Sequence, residues 1–118
     1  MAKYQGRKVK LQKRKKKKNE LGSDPIKTRL SDREERKNLR VTGGRTKTVA
    51  VKARFANVSV RGKTQKVAIR SVGDNAADKD FKRESVLALG GEIETELGRA
   101  RITSRPSQDG VVNAVLLE

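Results

Sequence analysis

The stretch Ile93-Glu94-Thr95-Glu96-Leu97-Gly98-Arg99-Ala100-Arg101-Ile102 alternates charged residues with apolar or small ones. A period of two is typical of a half-buried strand, and a two-residue turn at Leu97-Gly98 would join two such strands into a β-hairpin. This turn predicts which residues face each other: Glu96 and Arg99, Glu94 and Arg101, Thr95 and Ala100, and Ile93 and Ile102. Opposite charges would meet on one face and apolar groups on the other, which favours antiparallel β structure.

Segments with strand character lie on both sides of this hairpin and are separated by turns. They are residues 49–56, 66–72, 85–89 and 111–117. Short strands at this spacing are typical of a small barrel or sandwich. The last segment is apolar on both faces, so we expect it to be central or to close the barrel. The predicted fold class is mainly β, with a small antiparallel β-barrel-like core at residues 48–118.

Charge divides the 118-residue chain into two parts. Residues 1–47 contain 18 Lys and Arg against 5 Asp and Glu, whereas residues 48–118 contain 12 against 9. The large apolar residues show the opposite distribution, with 9 in the first part and 20 in the second. We therefore predict a basic N-terminal arm at residues 1–47 that precedes the β core.

The most cationic part of the arm is Lys13-Arg14-Lys15-Lys16-Lys17-Lys18. Six adjacent like charges repel one another, so this run cannot fold by itself and requires an anionic partner. We expect an extended arm that is ordered by a polyanion.

Two local signals lie near the end of the arm. Ser31 and Glu34 have the spacing of a capping box, which predicts a short helix near residues 31–40. Gly43-Gly44 permits positive φ angles and close backbone approach. We interpret this pair as a hinge between arm and core or, alternatively, as a place where a phosphate meets bare backbone amides.

The sequence offers few groups for catalysis or metal binding. It contains no histidine and no cysteine, so the commonest general base and the thiolate ligands are missing. Glu92, Glu94 and Glu96 share a strand face on which two of them have arginine partners, so we interpret them as ion-paired and solvated. We predict no catalytic residue, metal, cofactor or small-molecule substrate. The alternative is an enzyme acting on RNA, which would depend on Glu94 or Asp109.

No run of 18 or more apolar residues exists, and the basic N-terminus leads into further lysines. We therefore expect no membrane partner and a cytoplasmic location.

Nucleic acid is the polyanion that this composition favours, because counterion release on binding would offset the self-repulsion of the arm. The chain has three aromatic residues, Tyr4, Phe55 and Phe81, which is too few for a base-stacking platform. We expect phosphate contacts that follow the shape of a folded nucleic acid. Arg105 is a candidate contact from the core, or alternatively an ordinary surface arginine.

The C-terminal residues 94–98 and 103–116 resemble the characteristic end of the small-subunit ribosomal protein family S8e of archaea and eukaryotes. The resemblance extends to Phe55-Ala56-Asn57-Val58, to Gly43-Gly44, to Glu20-Leu21-Gly22 and to Tyr4-Gln5-Gly6-Arg7. It implies a structural component of the ribosome, with a compact β core and a basic extension along ribosomal RNA. The chain length resembles that of the archaeal members.

The resemblance and the charge pattern together predict a cytoplasmic protein of the small ribosomal subunit, whose partners are small-subunit rRNA and neighbouring ribosomal proteins. The alternative is a ribosome-assembly factor or another non-ribosomal RNA-binding factor. The candidate RNA-binding residues are Lys3, Tyr4, Gln5, Arg7, Lys8, Lys10, Lys13, Arg14, Lys15, Lys16, Lys17, Lys18, Lys27, Arg29, Arg40, Gly43, Gly44, Arg45, Lys47 and Arg105.

Overall fold

A computed structural model of the protein describes residues 14–117. Its strands are β1 (Arg29–Leu30), β2 (Glu35–Arg40), β3 (Thr46–Ala53), β4 (Phe55–Val60), β5 (Lys63–Val72), β6 (Glu92–Thr95), β7 (Gly98–Ile102) and β8 (Asn113–Leu116). Two short helices, α1 (Asp80–Glu84) and α2 (Pro106–Asp109), and one 3-10 turn (Thr42–Gly44) complete the structure. The predicted mainly β fold class is confirmed.

Strands β4 to β8 form a closed barrel in sequence order. Its four sequential pairs are antiparallel, whereas β8 pairs with β4 in parallel and closes the barrel. The barrel-like core and the closing role of the last strand were both predicted. The barrel encloses the main apolar cluster, which includes Val58, Ile69, Leu87, Ile93 and Ile102.

A second, three-stranded sheet has the order β1-β3-β2. Strand β1 is parallel to β3, and β2 is antiparallel to it. The helix predicted near residues 31–40 is therefore wrong, because Glu35–Arg40 forms an edge strand. A helix of this sequence would be polar almost all round, whereas pairing with β3 provides partners for the backbone N–H and C=O groups of the strand.

The glycine pair closes the hairpin between β2 and β3. Gly43 and Gly44 have φ angles of 84° and 71°, and the Val41 N–H donates to the Arg45 carbonyl at 2.9 Å. Because the flanking strands belong to one sheet, the hinge interpretation is wrong. Strands β1 and β2 lie within residues 1–47, and β3 crosses the predicted boundary at residues 47 and 48.

The hairpin of β6 and β7 forms as predicted, but its register differs by two residues. Glu94 lies opposite Arg99, Glu92 lies opposite Arg101, and the turn is at Glu96-Leu97. A shift of two residues keeps every side chain on its predicted face and changes only its partner.

The strand predicted at residues 85–89 is reduced to a single bridge between Val86 and Arg29. Ser85 adopts the left-handed conformation that ends α1, and the buried Leu87 joins the barrel core from this connection.

Candidate nucleic-acid interface

The hairpin of β2 and β3 packs against α2, although the two segments are far apart in the sequence. Lys47 Nζ donates a hydrogen bond to Gln108 Oε1, and Arg36 Nε donates to the Gly110 carbonyl at 3.1 Å. Gly110 lies so close to β3 that a Cβ atom there would be 2.9 Å from the Thr48 carbonyl oxygen. The hairpin and α2 therefore form one continuous surface.

The turn end of this hairpin brings together five predicted site residues, which we call the hairpin-end cluster: Arg40, Gly43, Gly44, Arg45 and Lys47. Arg40 and Arg45 are exposed, and within residues 14–117 neither has a carboxylate within ion-pair distance. Among residues 14–117, and apart from each glycine and its two chain neighbours, no atom lies within 4 Å of a Cβ position built on either glycine. An exposed, uncrowded backbone flanked by cations is suited to contact a phosphate group.

Arg105 immediately precedes α2, the short helix whose Gln108 accepts the hydrogen bond from Lys47. Its backbone N–H donates to Asp109 Oδ2 at 3.1 Å, and its carbonyl accepts from Gln108 and Asp109. The backbone of Arg105 thus stabilises the short helix, while the residue as a whole is exposed.

Arg14 to Lys18 are all exposed. Arg14 forms an ion pair with Glu20, and the Glu20 N–H donates to the Lys17 carbonyl at 2.9 Å in a local turn. The Lys17 backbone N–H also donates to Glu20 Oε2 at 3.3 Å. In the part of the chain that the structure describes, the side-chain ammonium groups of Lys15, Lys16, Lys17 and Lys18 have no carboxylate within 4.0 Å. The predicted site residues Lys3, Tyr4, Gln5, Arg7, Lys8, Lys10 and Lys13 lie outside the described residues.

Lys27 and Arg29 differ in their surroundings. Lys27 Nζ is 3.3 Å from Glu84 Oε2 and 5.8 Å from the centroid of the Phe81 ring, so its charge is already engaged within the protein. Arg29 lies in β1, is exposed and has no ion-pair partner among residues 14–117. The structure therefore favours Arg29 over Lys27 as a contact for an external anion.

Glu94 and Asp109, on which the alternative of an enzyme acting on RNA would depend, have partners within the protein. Glu94 Oε2 accepts a hydrogen bond from Ser71 Oγ at 2.7 Å, and Asp109 caps the backbone of Arg105. Glu92 forms ion pairs with both Arg99 and Arg101. These contacts join neighbouring strands of the barrel and stabilise the start of α2.

Residues 14–117 contain no group of three or more acidic, histidine or cysteine side chains that could hold a metal ion. Among the helices described, none is long and apolar enough to cross a membrane.

Sequence reasoning missed a second basic group, at the junction of the small sheet and the barrel. Arg36, Lys52 and Lys66 line a cavity there together with Phe55, and none of these four residues was assigned to the site. Arg54 and Lys66 lie 5.3 and 4.8 Å from the centroid of the Phe55 ring. Only Arg54 is next to Phe55 in the sequence, so no local pattern indicated that these cations converge.

Residues 2–117 match the family model described as Ribosomal protein S8e. A protein of Methanocorpusculum labreanum named small ribosomal subunit protein eS8 is 50% identical over 105 residues, which cover 87% of this chain and 83% of that protein. Proteins with the same name from Methanoregula boonei and Picrophilus torridus are 46% and 50% identical, each over 83% of this chain and 79% of theirs. The match covers nearly the whole chain, so this protein belongs to the ribosomal protein S8e family.

Proposed function

We propose that the protein is a structural constituent of the small ribosomal subunit that binds folded small-subunit rRNA through phosphate contacts and stabilises its tertiary structure. The S8e family consists of ribosomal proteins, which are structural and not enzymes. The relatives described above are archaeal proteins of the small subunit. We infer that this protein also acts in the ribosome of the cytoplasm, beside rRNA and neighbouring ribosomal proteins.

The observation that carries the phosphate-contact proposal is that the side-chain ammonium groups of Lys15, Lys16, Lys17 and Lys18 form no ion pair among residues 14–117. These adjacent cations are exposed and have no acidic partner within ion-pair distance among residues 14–117. Their mutual repulsion disfavours any compact arrangement of the run unless external negative charge neutralises it. A polyphosphate backbone supplies that charge and releases its condensed counterions on binding.

The hairpin-end cluster extends this proposal to the folded part of the protein. Arg40 and Arg45 offer charged donors next to the open backbone of Gly43 and Gly44. Arg105 is exposed and precedes α2, the helix that Lys47 contacts through Gln108. We infer that the arm and this cluster contact phosphates of different RNA segments and hold them together by reducing their repulsion.

The salt dependence of RNA affinity tests this proposal. Lys16→Gln with Lys17→Gln removes two cations that form no ion pair, so the negative slope of log affinity against log salt should become less steep by about 0.7–0.9 for each phosphate that the variant no longer neutralises. The matched control is Lys82→Gln with Arg83→Gln, because these cations lie beside carboxylates of Asp74, Asp80 and Glu84. Equal slopes for the wild type and the arm variant would overturn the proposed role of the run.

Sedimentation of cell extracts tests the place of action. A structural constituent should co-sediment with mature small subunits at a constant ratio to rRNA. An assembly factor should be found on precursor particles and be absent from mature subunits, and that result would overturn the structural role.

A further inference from the structure

A cleft with a cavity volume of about 110 Å³ lies between the small sheet and the barrel. The small sheet contributes Arg36 from β2 and Lys52 from β3, and the barrel contributes Phe55 from β4 and Lys66 from β5. Gly110, Val111 and Val112 form another side. Three cations from three strands therefore surround one small cavity.

Charge in the cleft is strongly unbalanced. Glu34 is the one acidic residue among the lining residues, against Arg36, Lys52 and Lys66. Lys52 has an ion-pair partner at 3.3 Å, Glu35. Arg36 and Lys66 have no carboxylate within 4.0 Å among residues 14–117, so two positive charges at this cavity are not neutralised by the described part of the protein.

Several contacts hold these cations at the cleft. Arg36 is attached to the opposite wall, because its Nε donates to the Gly110 carbonyl at 3.1 Å. Its remaining N–H groups are donors that this bond does not use. Lys66 lies across the ladder from Asn57, and its Nζ is 4.8 Å from the centroid of the Phe55 ring, within the range of a cation–π contact.

The lining of the cleft combines buried residues with charged donors. Ala50, Ala53 and Val112 line the cavity and are buried. Most of the accessible lining is polar, so a guanidinium and an ammonium group are available there as charged hydrogen-bond donors to an anion. The volume exceeds the space that one water molecule needs.

We propose that this cleft binds one phosphate of the RNA backbone, with the guanidinium of Arg36 and the ammonium of Lys66 as its main ligands. The inference rests on the proposed rRNA-binding function and adds to it a specific binding site outside the arm. Lys52 supplies a third positive charge, and Phe55 positions Lys66. Glu34 also lines the cleft, and its negative charge repels an anion there and weakens binding.

The first test compares two lysines of β5 that differ in position. Lys66→Gln removes a cleft ligand, whereas Lys63→Gln removes the same charge at the start of the strand, where it does not line the cleft. These measurements use the full-length protein and a small-subunit rRNA transcript. Lys66→Gln should make the negative slope of log affinity against log salt less steep by about 0.7–0.9. Lys63→Gln should leave the slope unchanged, and Lys66→Arg should restore it.

The second test removes the negative charge of Glu34, the one acidic residue that lines the cleft, and measures whether rRNA affinity increases. Glu34→Gln should increase rRNA affinity more than Asp32→Asn does, because Asp32 is exposed and does not line the cleft. Equal gains from the two variants would indicate a general effect of net charge and would contradict a specific site.

A measurement on the wild-type protein avoids any effect of substitution on folding. Binding of the rRNA transcript should protect Lys66 from amine acetylation more than it protects Lys63, as measured by mass spectrometry. Equal protection, or equal salt slopes for Lys66→Gln and Lys63→Gln, would overturn the cleft proposal. If rRNA still binds with a salt slope that depends on Lys16 and Lys17, the proposed function stands without the cleft. If rRNA does not bind at all, both proposals fail.

Discussion

Arg36 Nε donates a hydrogen bond to the carbonyl of Gly110, which joins the edge strand β2 to the residue that ends α2. Gly110 has a φ of 79°, and a Cβ atom there would be 2.9 Å from the Thr48 carbonyl oxygen. This one residue therefore permits both the helix end and the close approach of β3. The surface shared by the hairpin and α2 depends on it.

Gly110→Ala should destabilise the protein more than Gly62→Ala does. Both glycines have positive φ, so each substitution costs about 1–2 kcal/mol of backbone strain. Gly62 has nothing within 4 Å of its Cβ position, whereas at Gly110 the new methyl group also collides with β3. Urea denaturation of both variants measures the difference, and equal losses of unfolding free energy would contradict this packing.

Asn38→Ala distinguishes a strand from a helix at residues 35–40. Asn38 lies opposite Thr48, whose Oγ1 donates to Asn38 Oδ1 at 2.8 Å. Alanine removes this bond and is less favourable in a strand, so the unfolding free energy should fall by about 0.5–1 kcal/mol. Asn38→Thr, which suits a strand, should stay within about 0.5 kcal/mol of the wild type. If residues 35–40 formed a helix, Asn38→Ala would be more stable than Asn38→Thr, because alanine is the better helix former.

Engineered cysteine pairs test the register of the hairpin of β6 and β7. The chain has no cysteine of its own, so any disulfide comes from the introduced pair. Glu94→Cys with Arg99→Cys joins directly opposed positions and should oxidise readily. Glu94→Cys with Arg101→Cys joins diagonal positions, whose separation of roughly 7–8 Å exceeds disulfide geometry. Mass spectrometry after thiol alkylation counts the free thiols, and preferential oxidation of the diagonal pair would refute the observed register.

Leu87 and Leu89 provide a matched pair for the barrel core. Leu87 is 1% exposed and Leu89 is 45% exposed, although they are two residues apart. Leu87→Ala should lower the unfolding free energy by about 2–5 kcal/mol, because apolar burial is removed and a cavity remains. Leu89→Ala should change it by at most about 0.5 kcal/mol. Similar values for the two variants in denaturant titrations would mean that Leu87 does not belong to the core.

The sequence was sufficient to predict the strands whose alternation reflects one buried face. Ile69 and Ile93 belong to such segments, and both are barrel residues. The same local signals were misleading at Glu35–Arg40, where the capping-box spacing favoured a helix. Residues 35–40 form a strand because they pair with β3. This pairing is a tertiary contact, and the hydrophobic periodicity of residues 35–40 alone does not reveal it.

One part of the candidate site could be predicted from the sequence, and another part could not. The charge of Lys15 to Lys18 is a property of composition, so the need for a polyanionic partner could be inferred without a structure. The cleft of Arg36 and Lys66 could not be inferred, because its walls come from two sheets and from the turn at Gly110. A cluster of this kind exists only after the chain has folded.

The sequence by itself determined the β character of the core and the concentration of positive charge in residues 1–47, from which we infer a polyanionic partner. These properties depend on residue type and on spacing within single segments. The tertiary structure alone decided that Glu94 faces Arg99, that residues 35–40 pair with β3, and that cations from separate strands converge. These features follow from backbone hydrogen bonds and packing between distant segments, which compete with local preference and outweigh it.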